Sequence, residues 1–193
     1  MNSKGYSIVE LIVVVAIFLI ITSVVLINQN KFSSDINLNN AAYELSLAIR
    51  KAQVYGLSVR GESGLSNSFD SAFGMSFDSD STKSFIFFSD SVGDDGVYTE
   101  GSDSKISTFV LENGTYISGL CTYRGNSANC VEDLEKIYIT FKRPNPEAII
   151  KDNKSDNTEG NNVRSRAEIT ISSALGHKTK KVIVTNTGQI YNQ

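Results

Sequence analysis

The chain has 193 residues, 40% of them hydrophobic, with 18 Lys and Arg against 21 Asp and Glu, two Cys and one His. That length admits one domain plus an anchor and excludes a large multidomain machine. Two Cys and one His are too few for the usual four-ligand zinc site, so no metal or cofactor is expected.

The first element runs from Ile8 to Ile27, where almost every residue is apolar, and has about the length a helix needs to cross a hydrocarbon layer of roughly 30 Å. Three kinds of segment compete for it. A cleavable secretory signal has a shorter apolar run of about 7 to 15 residues and a small-residue cleavage site; here Asn28-Gln29-Asn30-Lys31 follows without Ala-x-Ala. A plain anchor fits the length but gives no reason for Glu10, whose carboxylate costs on the order of 2.5 to 3.5 kcal/mol in mid-membrane. The remaining reading is a specialised leader.

The stretch Lys4-Gly5-Tyr6-Ser7-Ile8-Val9-Glu10-Leu11 resembles the processing site of type IV prepilins and pseudopilins. It has a short basic leader ending in Gly, an aromatic first mature residue where the family most often has Phe, and a Glu five residues into the mature chain. The resemblance implies cleavage by prepilin peptidase between Gly5 and Tyr6 and N-methylation of Tyr6. Gly5, lacking a side chain, suits an extended backbone in a narrow protease cleft. Lys4 favours the cytoplasmic side, giving an N-in orientation in the inner membrane with the rest of the chain outside the cytoplasm. Glu10 is then the assembly residue: paired with the terminal ammonium of a neighbouring subunit, it loses the cost of a lone charge in lipid and selects an axial register.

No Gly or Pro occurs between Tyr6 and Tyr55, so one long helix is the simplest reading, with a break at Asn28 to Asn30 as the alternative. Beyond the span, Leu38, Ala42, Leu45, Ile49 and Ala52 mark an apolar stripe at intervals of three and four that predicts packing on a head domain. The domain boundaries read as a leader at 1–5, a transmembrane assembly helix at 6–28, its amphipathic continuation at 29–56 and an extracytoplasmic head at 57–193. Within the head, six short β-branched or aromatic runs read as strands: 73–77, 84–88, 108–111, 136–141, 167–171 and 181–185. The fold class is α+β, with the long helix packed on an antiparallel β head of six to eight strands.

Leu45-Ser46-Leu47-Ala48-Ile49-Arg50-Lys51-Ala52-Gln53, then Phe141-Lys142-Arg143-Pro144 and the closing stretch from Val182 to Ile190, resemble the minor pseudopilin H family of type II secretion and related minor pilins of type IV pili. The long-helix, β-head pilin architecture is what that resemblance implies. Asn145-Pro146-Glu147 and the polar insertion Lys151 to Asn162 depart from the family pattern.

Cys121 and Cys130 flank a polar loop with a central Gly. They form a disulfide if the head lies outside the cytoplasm; the alternative is two free thiols. Asp90, Asp94, Asp95, Gly96 and Glu100 cluster in one turn and carry the oxygen ligands a hard cation takes, but their spacing is not that of an Asp-x-Asp-x-Asp-Gly loop. Asp-Gly between two strand-like runs is foremost a hairpin signal. His177 sits in a Gly-His-Lys turn with no nucleophile motif beside it, and no phosphate-cradling Gly loop precedes a helix, so no enzymatic activity is expected.

Residues 61–141 hold 4 bases and 13 acids, whereas residues 142–193 hold 9 bases and 5 acids. The basic last third is either an intermixed solvated surface or the DNA-contacting face of a DNA-uptake pilin, for which Arg164, Arg166, Lys178, Lys180 and Lys181 are the candidates. The expected function is thus a minor pilin or pseudopilin. Its expected partners are other pilins, the prepilin peptidase and the membrane assembly platform, with a DNA-binding competence pilin as the alternative.

Overall fold

The computed structural model describes residues 5, 7–58, 71–125, 127–131, 134–153, 164–174 and 178–193, the side chains of 27, 28, 30 and 31 excepted. One helix, α1 (Ile8–Leu57), occupies the N-terminal quarter without a break at Asn28 to Asn30. Its start is set by Ser7, whose hydroxyl accepts from the Val9 amide at 3.3 Å, and Glu10 lies in the first turn, where a carboxylate suits the positive end of the helix dipole. Its 50 residues correspond to about 75 Å, well beyond a bilayer.

Among the described residues nine strands follow: β1 (Ala72–Asp78), β2 (Ser84–Asp90), β3 (Ser104–Val110), β4 (Tyr116–Tyr123), β5 (Lys136–Phe141), β6 (Ala148–Asp152), β7 (Arg166–Ser172), β8 (Thr179–Thr185) and β9 (Ile190–Asn192). They form two antiparallel sheets, one ordered β3-β2-β1-β5-β6 and one ordered β4-β7-β8-β9. Helix and head together are therefore α+β, and among the described residues the head has nine strands rather than six to eight.

The six sequence-read strands correspond to β1, β2, β3, β5, β7 and β8; the other three lack a clean local signal. In β4 the register shifts between Ile117 and Gly119, so the two-residue alternation breaks in mid-strand. β6 has five residues and β9 only three, and both lie in polar surroundings where a strand is defined by its partner rather than by its own pattern.

The apolar stripe of α1 lies at the junction of the two sheets. Leu38, Ala42, Leu45, Ile49 and Ala52 are buried together with Met75, Phe77 and Phe141 of the first sheet and Ile169, Ile171, Val182 and Val184 of the second. Small residues on the helix bring its backbone close to the strands. At Gly56 the approach is so near that a Cβ would stand 2.3 Å from the Phe141 carbonyl oxygen. Polar groups fix the depth of docking: Gln53 donates to the carbonyls of Pro146 and Gly188, both at 3.1 Å, Arg50 to that of Ile190 at 3.2 Å, and Ser46 to the Asn192 side chain.

Candidate functional site

The N-terminal site is an exposed helix whose acid has no ion-pair partner among the described residues. From Ile8 to Leu26 the mean hydropathy is 3.0 and no part of the segment is buried in the protein. Gly5 has open space around it, since a Cβ built there meets nothing within 4 Å. Glu10 is exposed among apolar neighbours, and no described residue forms an ion pair with it. Tyr6 and Lys4 lie outside the described residues.

In the head, Cys121 and Cys130 are joined, with their Cα atoms 5.8 Å apart. The ring hangs from β4, where Thr122 and Val131 exchange backbone hydrogen bonds of 2.8 and 3.4 Å, and Ser165 ties it down by donating to the Gly125 carbonyl at 2.6 Å. Closing so short a ring stabilises the head by about 2.5 to 3 kcal/mol on the chain-entropy account.

The five basic residues proposed as DNA contacts do not make one free basic face. Arg164 is only 3% exposed and clamps Asp152 through two hydrogen bonds of 2.6 and 2.9 Å, so its guanidinium is not offered to a phosphate. This corrects its assignment as a surface contact: the charge belongs to the interior. Arg166 and Lys181 both reach Glu168, at 3.3 and 3.1 Å, and the Arg166 guanidinium also lies 3.8 Å from the centre of the Tyr123 ring. Lys178 pairs with Asp35 of α1. Lys180 sits half-buried beside Leu38 and Asn39.

Asp152 and Glu168, the acids that organise these bases, were not singled out in the sequence. Asp152 occupies an inward position in the alternation of β6, which only the paired strand makes visible. His177 lies outside the described residues.

The acidic turn proves to be a loop laced by its own carboxylates. Asp103 accepts from the amides of Ser91, Val92 and Thr99 at 3.2, 3.4 and 2.8 Å, and Asp95 accepts from Val97 at 2.9 Å. Asp94 pairs with Lys142, and the Asp95 carbonyl accepts from Lys151. Gly96 takes a positive φ of 72°, as the Asp-Gly turn requires. Among the described residues no group of three His, Cys, Asp or Glu side chains is placed to hold a metal ion.

Asp90 lies beneath this loop, 2% exposed, with Oδ2 accepting from the Gly96 amide at 2.7 Å and Oδ1 without a hydrogen-bond partner among the described residues. Burial, reinforced by the nearby charges of Asp103, Asp95 and Asp94 and opposed by the Gly96 hydrogen bond, pushes its carboxyl from 3.8 up to about 6. The folded state then holds the proton more tightly than the unfolded chain, and its advantage is lost as pH rises from about 4 through 6. The full effect is about 3 kcal/mol, roughly half of it between pH 5 and 7. Asp90→Asn keeps an oxygen for Gly96 and removes the charge. It is expected to raise the urea midpoint at pH 7 and to flatten the fall in stability between pH 5 and 7. A variant less stable than the parent at pH 7 would show that the ionised carboxylate is held favourably.

Residues 1–26 match the family described as the prokaryotic N-terminal methylation motif, a match that spans Gly5, Tyr6, Glu10 and the apolar helix up to Leu26. Neither a curated protein nor a solved structure matches the chain. The motif and the spanning-length helix make the N-terminal segment similar to that of type IV prepilins, with an antiparallel head behind it.

Proposed function

We propose that the chain is a minor pilin or pseudopilin, a structural subunit of a type IV pilus or a type II secretion pseudopilus, with no enzymatic activity of its own. The observation that carries this reading is the methylation motif over residues 1–26 leading directly into one helix that continues, without a hinge, into a folded head. A cleavable secretory signal would have no use for such continuity, because the cut would separate span from head. A rigid helix instead transmits position: whatever fixes the membrane half of α1 fixes the head as well.

In this reading the N-terminus faces the cytoplasm, the head lies outside it, and the chain leaves the inner membrane when it joins the filament. The internal pairing of Arg164, Arg166, Lys178 and Lys181 supports a subunit role over a DNA-binding one. The Cys121–Cys130 bond suits the oxidising compartment where such a head would reside.

Intact-mass and N-terminal analysis of protein from cells containing a prepilin peptidase are expected to show a chain that begins at Tyr6 and carries one methyl group. An uncleaved N-terminus, or a cut beyond Ile27, would overturn the reading.

A further inference from the structure

We infer that the face of α1 turned away from the head pairs with the same face of a second copy of this chain, the two helices lying parallel and in register. The helix buries only one side against the sheets. On the opposite side Ile36, Asn40, Tyr43, Leu47, Arg50, Val54 and Leu57 are spaced alternately by four and three residues, the repeat of a coiled-coil seam. The apolar members are well exposed, Tyr43 at 60% and Val54 at 63%. The same spacing runs back through the polar Ser33 and Gln29 into the membrane span as Leu26, Thr22, Leu19, Val15 and Ile12. There Ile12, Val15 and Leu19, with Leu11 and Ala16, already line a shallow apolar groove.

Area decides what covers this seam. From Ile36 to Leu57 a strip about 10 Å wide and 33 Å long offers roughly 330 Å² per helix, far below the ~800 Å² per partner of a stable interface. The entire helix, about 75 Å long, offers roughly 750 Å², so only a partner that follows α1 into the membrane makes enough contact. A second copy supplies a helix of that length, with the same repeat and inserted in the same direction. Asn40 meets its own equivalent only in register, the arrangement by which a buried Asn fixes alignment in parallel pairs.

The flanks permit this pairing. In a parallel pair Glu44 faces Asn39 across the seam, while Ser46, the position opposite Lys51, is buried against Asn192, so no like charges meet. Arg50, the charge on the seam itself, is drawn toward the head by its hydrogen bond to the Ile190 carbonyl. Glu10 stands about 200° round the helix from Ile12 and so faces away from the seam. Pairing leaves it open to another subunit and needs neither processing nor a filament.

The test is cysteine crosslinking of the full chain in lipid vesicles, without peptidase or other pilins. Cysteines replace Ile36, Tyr43, Leu47 or Val54 on the seam and Glu44 or Lys51 beside it. Because a disulfide joins only Cβ atoms within about 4.5 Å, seam positions should give at least about fivefold more dimer on oxidation than the flanking ones. Adding Leu47→Glu, an exposed position the head does not need, should cut the Val54→Cys dimer at least about fivefold. Equal yields on and beside the seam, or indifference to Leu47→Glu, would overturn the pairing. So would membranes of cells expressing all the pilins in which the seam cysteines join a different chain in preference to a second copy. A failed filament reading would leave the vesicle result unchanged.

Discussion

Replacing Arg164 with Ala is expected to cost the head about 3 to 5 kcal/mol, the range for removing one member of a buried ion pair. Arg164 and Asp152 are 3% and 0% exposed in their side chains, and the Thr122 hydroxyl donates to the same carboxylate at 2.7 Å. Without the guanidinium, Asp152 is left as a buried charge with one neutral donor.

The pair also stands at a structural junction. Arg164 donates its amide to Ile150 at the edge of the first sheet, and Ser165 donates to Tyr123 at the edge of the second, both at 2.8 Å. Loosening Arg164 therefore opens the seam between sheets as well as stranding a charge. The check is urea unfolding of the full chain in detergent at pH 7. Replacing both partners, Arg164→Met with Asp152→Leu, should recover most of the loss, since an apolar pair carries no desolvation penalty. If Arg164→Ala cost less than about 1 kcal/mol, the carboxylate would have to be reached by water once the guanidinium was gone.

Glu10→Ala is expected to leave membrane insertion and cleavage nearly intact while sharply reducing incorporation into a filament. The carboxylate sits in an apolar helix without a partner in its own described chain, so its cost in lipid is relieved only by a charge brought from elsewhere. The proposed processing after Gly5 would create such a charge, an ammonium at Tyr6, on every subunit. Glu10→Asp should be intermediate, retaining charge but losing reach. Crosslinking to neighbouring pilins together with filament counts in cells carrying each variant would measure this. Normal incorporation of Glu10→Ala in the shaft would show that the charge does not set register.

These two residues mark the division between what the sequence by itself determined and what only the tertiary structure decided. The motif around Glu10 was legible at once, because it rests on neighbours within a few positions: a basic leader, a Gly, an aromatic residue and an apolar run in fixed order. The long helix and its buried stripe were legible for the same reason, since a period of three and four is a local property. So were the six strands with strong β-branched or aromatic character.

Arg164 was misread from sequence because a charge carries no local sign of whether it will meet a phosphate or a buried carboxylate. Its partner Asp152 lies 12 residues away across the polar insertion, and Thr122, which completes the cluster, is 30 residues from Asp152. Asp90 is a similar case: its turn reads as a string of acids, yet only the folding of the loop over β2 buries Asp90 almost completely, ties Asp103 into the backbone and leaves Asp94 and Asp95 at the surface. β4, β6 and β9 became strands because neighbouring strands took up their backbone hydrogen bonds. Propensity and period act along the chain, whereas desolvation, ion pairing and edge pairing depend on which distant segments are brought together, and that is settled only when the two sheets close around the helix.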